Sequence, residues 1–346
     1  MQQTFFGTRL PIIQAPMAGV QDSGLAIAVA SAGGLGSLPA AMLSAEQLEQ
    51  QLQVLQAHSD KSFNINFFCH TPATFSASRQ ARWCQQLQPY FDEWGISPHE
   101  LPDGAGLKPF SHAMADVLAA FKPAVVSFHF GLPEAELLAR VKQHSIVWSS
   151  ATTVEEALWL EAHGADAIIA QGFEAGGHRG MFLTTDITTQ LGTLSLLPQI
   201  IKRVQIPVIA AGGIADAKTV MAALSLGASA VQVGTAYLLC DETGSSRLHR
   251  QALQSNCAQH TAITNVFTGR PARSIVNRII REQGPISSHT PDFPMASGAI
   301  ALLRKKAEAQ DCSDFTPLWC GQNASGCAPI PAAEMTNRLA AMLVKK

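Results

Sequence analysis

Ala165-Asp166-Ala167-Ile168-Ile169-Ala170, followed by Gln171-Gly172-Phe173-Glu174-Ala175-Gly176-Gly177-His178-Arg179-Gly180, is the stretch from which the fold can be read. Its first part is a short apolar run, which predicts a strand covered on both faces. Its second part puts four glycines in ten residues on the loop leaving that strand. Glycines there let the backbone approach a flat or anionic ligand closely, and the loop holds an imidazole, a guanidinium, a carboxylate and an amide over that surface. The ordinary alternative is a tight surface turn that happens to carry a histidine.

Working outward, the same strand, loop and helix order recurs. Strands are expected to begin near Ile12, Gly34, Phe63, Ala124, Ile146, Asp166, Val208 and Ala230, with helical or loop sequence between them. Eight such units specify an α/β fold of the closed TIM (β/α)8 barrel type rather than an open doubly wound sheet. The rhythm breaks between His70 and Pro109, where Pro72, Pro89, Pro98 and Pro102 interrupt a polar, aromatic stretch with a helix expected over Ser76 to Trp94. Beyond Cys240 only helices are expected, over Arg247–Asn256, Thr268–Gln283 and Ala296–Gln310. The predicted organisation is therefore a barrel over residues 1–239, a C-terminal helical domain over 240–315 covering the active site, and a segment 316–346 returning to the barrel through a helix from Ala332 to Lys346.

Composition narrows the function. With 47% hydrophobic residues in 346 the chain can bury a sizeable core, and its net charge of -2 gives no electrostatic case for nucleic acid or an anionic membrane. No apolar run reaches the about 18 residues of a membrane span, and no export signal is read at the start, so a cytoplasmic location is expected. The seven cysteines contain no C-x-x-C pair, which argues against a disulfide framework and a zinc site; no metal is expected. Gly212-Gly213 and Gly234-Thr235 fall at the ends of the last two barrel strands, where backbone N–H groups commonly grip phosphate. Neither a G-x-G-x-x-G fingerprint nor a G-x-x-x-x-G-K-[ST] loop is present, so a mononucleotide such as FMN is the expected cofactor.

His178 has the chemistry of a base near neutral pH. His129, at the end of the fourth strand, also points to the mouth, as a substrate contact or as a buried structural histidine. Asn66 and Asn64 share a parity inside an apolar strand, and a buried amide there suits a flavin's pyrimidine edge; the sequence does not choose between them. Met17 packs on the rim or lies near the flavin ring.

The motifs Gln14-Ala15-Pro16-Met17-Ala18-Gly19-Val20, Asn66-Phe67-Phe68, His129-Phe130-Gly131, Gln171 to Gly180, Ala210-Ala211-Gly212-Gly213-Ile214, Gln232-Val233-Gly234-Thr235 and Trp319-Cys320-Gly321-Gln322 together resemble the class I nitronate monooxygenases, once called 2-nitropropane dioxygenases. The resemblance covers nearly the whole chain. It implies FMN bound by Met17, Asn66, Gln171, Gly176, Gly213, Gln232, Val233, Gly234, Thr235, Gly321 and Gln322, with His178 as catalytic base. It also implies oxidative denitrification of alkyl nitronates such as propionate 3-nitronate by dioxygen, a detoxification, in a monomer or homodimer. The family pattern of several tyrosines around the substrate is missing, since the chain has only Tyr90 and Tyr237. An FMN-dependent NAD(P)H:quinone or enoyl reductase on the same barrel is the alternative enzyme, and a non-catalytic flavin-binding module the alternative of another kind.

Overall fold

A computed structural model describes residues 4–58, 60–97 and 107–343; Pro98 and Pro102, and the last residues of the helix expected to reach Lys346, lie outside them. Eight parallel strands form the barrel: β1 (Ile12–Gln14), β2 (Gly36–Pro39), β3 (Phe63–Phe68), β4 (Val125–His129), β5 (Ile146–Ala151), β6 (Ala167–Gln171), and, after a two-residue β7 (Gly177–His178) outside it, β8 (Val208–Ala211) and β9 (Ala230–Val233). They lie in the order β1-β9-β8-β6-β5-β4-β3-β2. A bridge between Ile13 and Leu35, with Leu35 N–H donating to Ile12 O at 2.8 Å, joins the two ends and closes the sheet. Each expected strand is present. Nearly every strand residue is buried, as both faces are covered. Inside, Ile13, Leu35, Val125, Trp148, Ile169 and Ile209 form a single cluster. Trp148 meets Phe6 edge-on at 5.8 Å and seals the end opposite the glycine loops.

Helices α1 (Ser23–Ser31), α2 (Ala45–His58), α3 (Ala77–Trp94), α4 (His112–Phe121), α5 (Ala135–Lys142), α6 (Val154–Ala162), α7 (Thr193–Ile201) and α8 (Ala217–Ser225) follow the strands, all but α3 packing around the barrel. Their starts are written locally. Ser44 caps α2 by accepting from Gln47 N–H at 3.2 Å while the Gln47 side chain accepts from Ser44 N–H at 2.9 Å, and Asp216 with Thr219 does the same for α8. After β9 come α9 (Arg247–Gln254), two further strands β10 (Thr261–Thr264) and β11 (Ala272–Ile275), then α10 (Arg278–Gln283), α11 (Ser297–Glu308) and α12 (Ala332–Ala340). Helix α12 packs against α1 and α8, with Tyr237 OH and Thr336 Oγ1 2.9 Å apart, and supplies the outer helix that β9 lacks.

The structure corrects the helix expected over Thr268–Gln283. Helix forms only at Arg278–Gln283, while β10 and β11 make an antiparallel hairpin, and β11 pairs in turn with β7 through Ala272↔His178 and Arg273↔Gly177. Each strand has four residues, and Gly269 and Pro271 between them oppose a helix. What decides for strand is β7, a partner distant in sequence. Helix α3 also belongs with this late segment, since Trp83, Leu87 and Phe91 share a core with Phe267, Leu303 and Phe315.

Strand β2 lies directly on α1 because Gly36 has no side chain: a Cβ there would fall 2.1 Å from Ala26 O and 2.6 Å from its Cα. Both contacts are with backbone, which cannot swing away. Gly36→Ala is therefore expected to lower stability by about 3 kcal/mol or more, measured by urea unfolding against the parent protein.

Candidate active site

The loop after β6 is pinned to its own strand. The Gln171 side chain donates to His178 O at 3.0 Å and accepts from Gly180 N–H at 2.7 Å. Arg179 is wholly buried, donating to Gly172 O at 2.7 Å, Gln171 O at 2.8 Å and Gln190 Oε1 at 3.0 Å. The sequence reading holds this guanidinium over the ligand-facing surface, but the fold turns it under the loop as a brace. Burial, helped by the neighbouring Arg273, pushes its pKa down to about 9, so it stays charged at neutral pH.

His178 stands on β7 at the edge of the small sheet, partly open, with Nε2 2.9 Å from Thr268 Oγ1. His129 lies behind it. The His129 Nε2 is 3.1 Å from the His178 carbonyl oxygen, which can only accept, so Nε2 carries the proton and Nδ1 accepts from Ser150 Oγ at 3.0 Å. With both nitrogens engaged, this ring is set to position the His178 backbone. Burial first, then neighbouring positive groups that include Arg270, holds both imidazoles down to about 3 and hence neutral at working pH.

Around His178 stand Phe68, Phe130, Phe293 and Trp319, with ring centroids 5.4 to 6.2 Å away. His249 donates to Trp319 O at 3.1 Å and fixes that wall. Neither tyrosine is here: Tyr90 sits in the α3 core and Tyr237 in the barrel wall. The sequence missed Thr268 and Arg270, which arrive on the β10–β11 turn read as helix. Gly269 and Pro271 were the available signal.

On the opposite rim the ends of β8 and β9 are neighbours, through Ala211↔Gln232 pairing. The Trp319-to-Gln322 motif docks across them: Gly321 N–H donates to Thr235 Oγ1 at 2.9 Å, Gln322 N–H to Glu174 O at 2.9 Å, and Asn323 Nδ2 to Gly213 O at 3.0 Å. Gly176 permits this, because a Cβ on it would lie 2.5 Å from Gly321 N. Met17 comes close to Gly234, and Ala15 N–H donates to Val233 O at 2.8 Å. Gln232 Oε1 is buried without a partner among the described residues. Asn66 donates to Ser127 Oγ at 2.9 Å near the mouth; Asn64 sits one pleat deeper, bonded to Ser37 Oγ at 3.0 Å. The Gly213, Gly234 and Thr235 N–H groups donate to no acceptor among the described residues. A groove of about 590 Å³ opens beyond the loops after β3 and β4, lined by Cys69, Pro109, His112 and Leu137; it includes neither His178 nor a glycine turn.

Fold and site define a (β/α)8-barrel enzyme for a small molecule, with a main-chain cradle on one rim and an imidazole wall on the other. A model of the nitronate monooxygenase family matches residues 1–341. The chain is 42% identical to the nitronate monooxygenase of Paraburkholderia phytofirmans, over 96% of this chain and 92% of that one, and 40% identical to that of Pseudomonas aeruginosa, over 96% of each. Among solved structures it resembles nitroalkane oxidase from Streptomyces ansochromogenes, with a TM-score of 0.89, 39% identity and coverage of 98% and 97%, and FabK from Thermotoga maritima, at 0.72, 25%, 96% and 92%. The chain belongs to the nitronate monooxygenase family, and is an oxidoreductase. No described helix is long and apolar enough to cross a membrane.

Two outcomes follow from these contacts. Gln171→Leu removes both side-chain bonds from Gln171 to the His178 loop and is expected to lower nitronate turnover by about tenfold to a hundredfold, measured as initial rate. His129 and His178 are held near 3 and His249 near 4, against 6.5 for a free imidazole. Below about pH 6.5 the unfolded chain therefore binds protons that the folded chain refuses, and stability falls as the pH drops. The urea midpoint should be lower at about pH 5 than at about pH 7.5, and His249→Gln should narrow that gap.

Proposed function

We propose that the protein oxidises alkyl nitronates such as propionate 3-nitronate with dioxygen, using FMN, to a carbonyl compound and nitrite. The observation that carries this is the pairing of a cradle of unengaged N–H groups, at Gly213, Gly234 and Thr235, with His178 on the facing loop. The residues fit the cofactor. Those N–H groups suit a phosphate, the unpartnered Gln232 Oε1 and the Asn66 amide suit the edge of a flavin ring, and Met17 sets an apolar side chain close to Gly234. Val233, Gly234, Thr235, Gly321 and Gln322 complete the set. Bound FMN would accept electrons from the nitronate and return them to dioxygen. In this reading residues 1–239 supply the barrel apart from α3, which packs with the 240–315 cover, and 316–346 form the returning segment.

The protein's own part is to hold the substrate, exclude water and manage one proton. Phe68, Phe130, Phe293 and Trp319 shield the His178 ring, which strengthens every charge interaction inside. With a neutral nitroalkane, His178 takes the α-proton. Its low pKa in the free protein makes it a weak base, but the negative charge developing on the substrate beside it favours the protonated ring, so transfer is driven as the anion forms. A preformed nitronate needs no such step.

The purified protein should show a flavin absorbance spectrum, and adding propionate 3-nitronate should consume oxygen and release nitrite. Bleaching of the flavin by NADH or NADPH, with indifference to nitronates, would instead mark a reductase. His178→Asn is expected to lose about a hundredfold or more of turnover with neutral nitroalkanes and much less with preformed nitronates. Equal losses on both would reject His178 as the base.

A further inference from the structure

We propose that Arg270 forms an anion-recognition subsite, holding an oxyanion of the substrate, its nitronate oxygens or a carboxylate on its chain, against the face of Phe130. This rests on the nitronate-oxidising reading above and adds the residue that selects for charge. The Arg270 guanidinium lies 3.9 Å from the Phe130 ring centroid. One of its nitrogens, Nη2, donates to Met181 O, whereas Nε is buried with no hydrogen-bond partner among the described residues. No ion pair among the described residues involves it. Glu156, the acidic group whose field reaches it, is already occupied by Thr152 N–H and Oγ1, both at 2.7 Å, and by Phe182 N–H at 2.6 Å. A partly desolvated guanidinium with a free donor and no carboxylate is a site that still requires an anion.

The donor open to a ligand is the remaining nitrogen, Nη1, which makes no hydrogen bond among the described residues and is not closed off as Nε is. Phe130 has φ +71°, a conformation a bulky side chain rarely adopts, and Ser149 Oγ secures the turn by donating to Gly131 O at 2.7 Å. The strained residue is the platform under the guanidinium, and its ring also meets His178 at 6.0 Å and Phe293 at 5.6 Å. His70, only 3% exposed, packs edge-on against Phe293 at 4.9 Å, and neither of its ring nitrogens has a hydrogen-bond partner among the described residues. The Leu107 backbone lies near enough to influence its charge but outside bonding geometry. Thr268 links the two ends of the subsite, with Oγ1 2.9 Å from His178 Nε2 and 3.4 Å from Arg270 N. The guanidinium and the His178 ring both lie against the Phe130 ring, 3.9 and 6.0 Å from its centroid, so an anion on Arg270 lies beside His178.

The test uses the full-length protein with Arg270→Met and Arg270→Lys. Sodium propanoate and sodium nitrite are titrated calorimetrically, and the methionine variant should bind them about tenfold or more weakly than the parent. In parallel, KM is measured for ethyl nitronate and for propionate 3-nitronate. A rise of about tenfold or more for both, with kcat little changed, places the nitronate oxygens on Arg270; a rise confined to the carboxylated substrate places its carboxylate there. Unchanged anion affinity and unchanged KM in a methionine variant that unfolds at the parent's temperature would overturn the subsite. If that variant misfolds, lysine carries the test: it keeps the charge but loses the planar fork, so affinities between parent and no binding support the subsite and parental ones refute it. Anion binding through Arg270 in a protein that oxidises no nitronate would sink the functional reading alone. Nitronate oxidation indifferent to Arg270 would sink the subsite alone.

Discussion

The guanidinium of Arg179, buried beneath the loop to which it belongs, is the contact on which the mouth of the barrel depends. Where β6 ends, the carbonyl groups of Gln171 and Gly172 face the protein interior, and an unpaired buried carbonyl costs about 1–3 kcal/mol. Arg179 satisfies both at once, while its backbone N–H donates to Pro271 O at 2.9 Å and draws the start of β11 onto the loop. Arg273, one register position from Ala272, closes the other side by donating to Phe173 O at 2.8 and 3.1 Å. Two arginines thus hold ten glycine-rich residues still without any carboxylate in direct contact. The planar fork of Arg179 reaches two carbonyls and that of Arg273 grips one with two nitrogens, geometries a lysine could not match.

That rigidity lets two separate parts of the chain share one site. The barrel supplies the main-chain cradle at the ends of β8 and β9, and parallel pairing keeps those ends together. The hairpin β10–β11 supplies the chemistry of the facing wall, because pairing with β7 sets His178 in register with Ala272 and brings Thr268 and Arg270 over the mouth. The Trp319-to-Gln322 segment spans the two, with Trp319 against His178 and Gly321 against Gly176. A shift of one residue in the small sheet would turn the imidazole to the other face.

The wall is also electrostatically one-sided. Three imidazoles lie near one guanidinium, and because desolvation keeps the imidazoles neutral, Arg270 is the positive group there that would attract an anion. Glu156 and Glu174 have their oxygens engaged by backbone and threonine donors, and although the Glu156 charge is felt at Arg270, neither makes an ion pair with it.

The barrel was legible in the chain because each of its signals is local. An apolar run such as Ala167–Gln171 or Val208–Ala211, glycines at its end and a capped helix after it can each be read within about a dozen residues, and eight repeats of that order leave one closed arrangement. The same locality exposed His178 and the glycine turns. The orientation of Arg179, the engagement of both His129 nitrogens, and the strands at Thr261–Thr264 and Ala272–Ile275 were decided by tertiary structure. Four-residue strands carry too little preference of their own, and a side chain's direction depends on which buried carbonyl groups need a donor. Those partners meet only once β7 and β11 have paired.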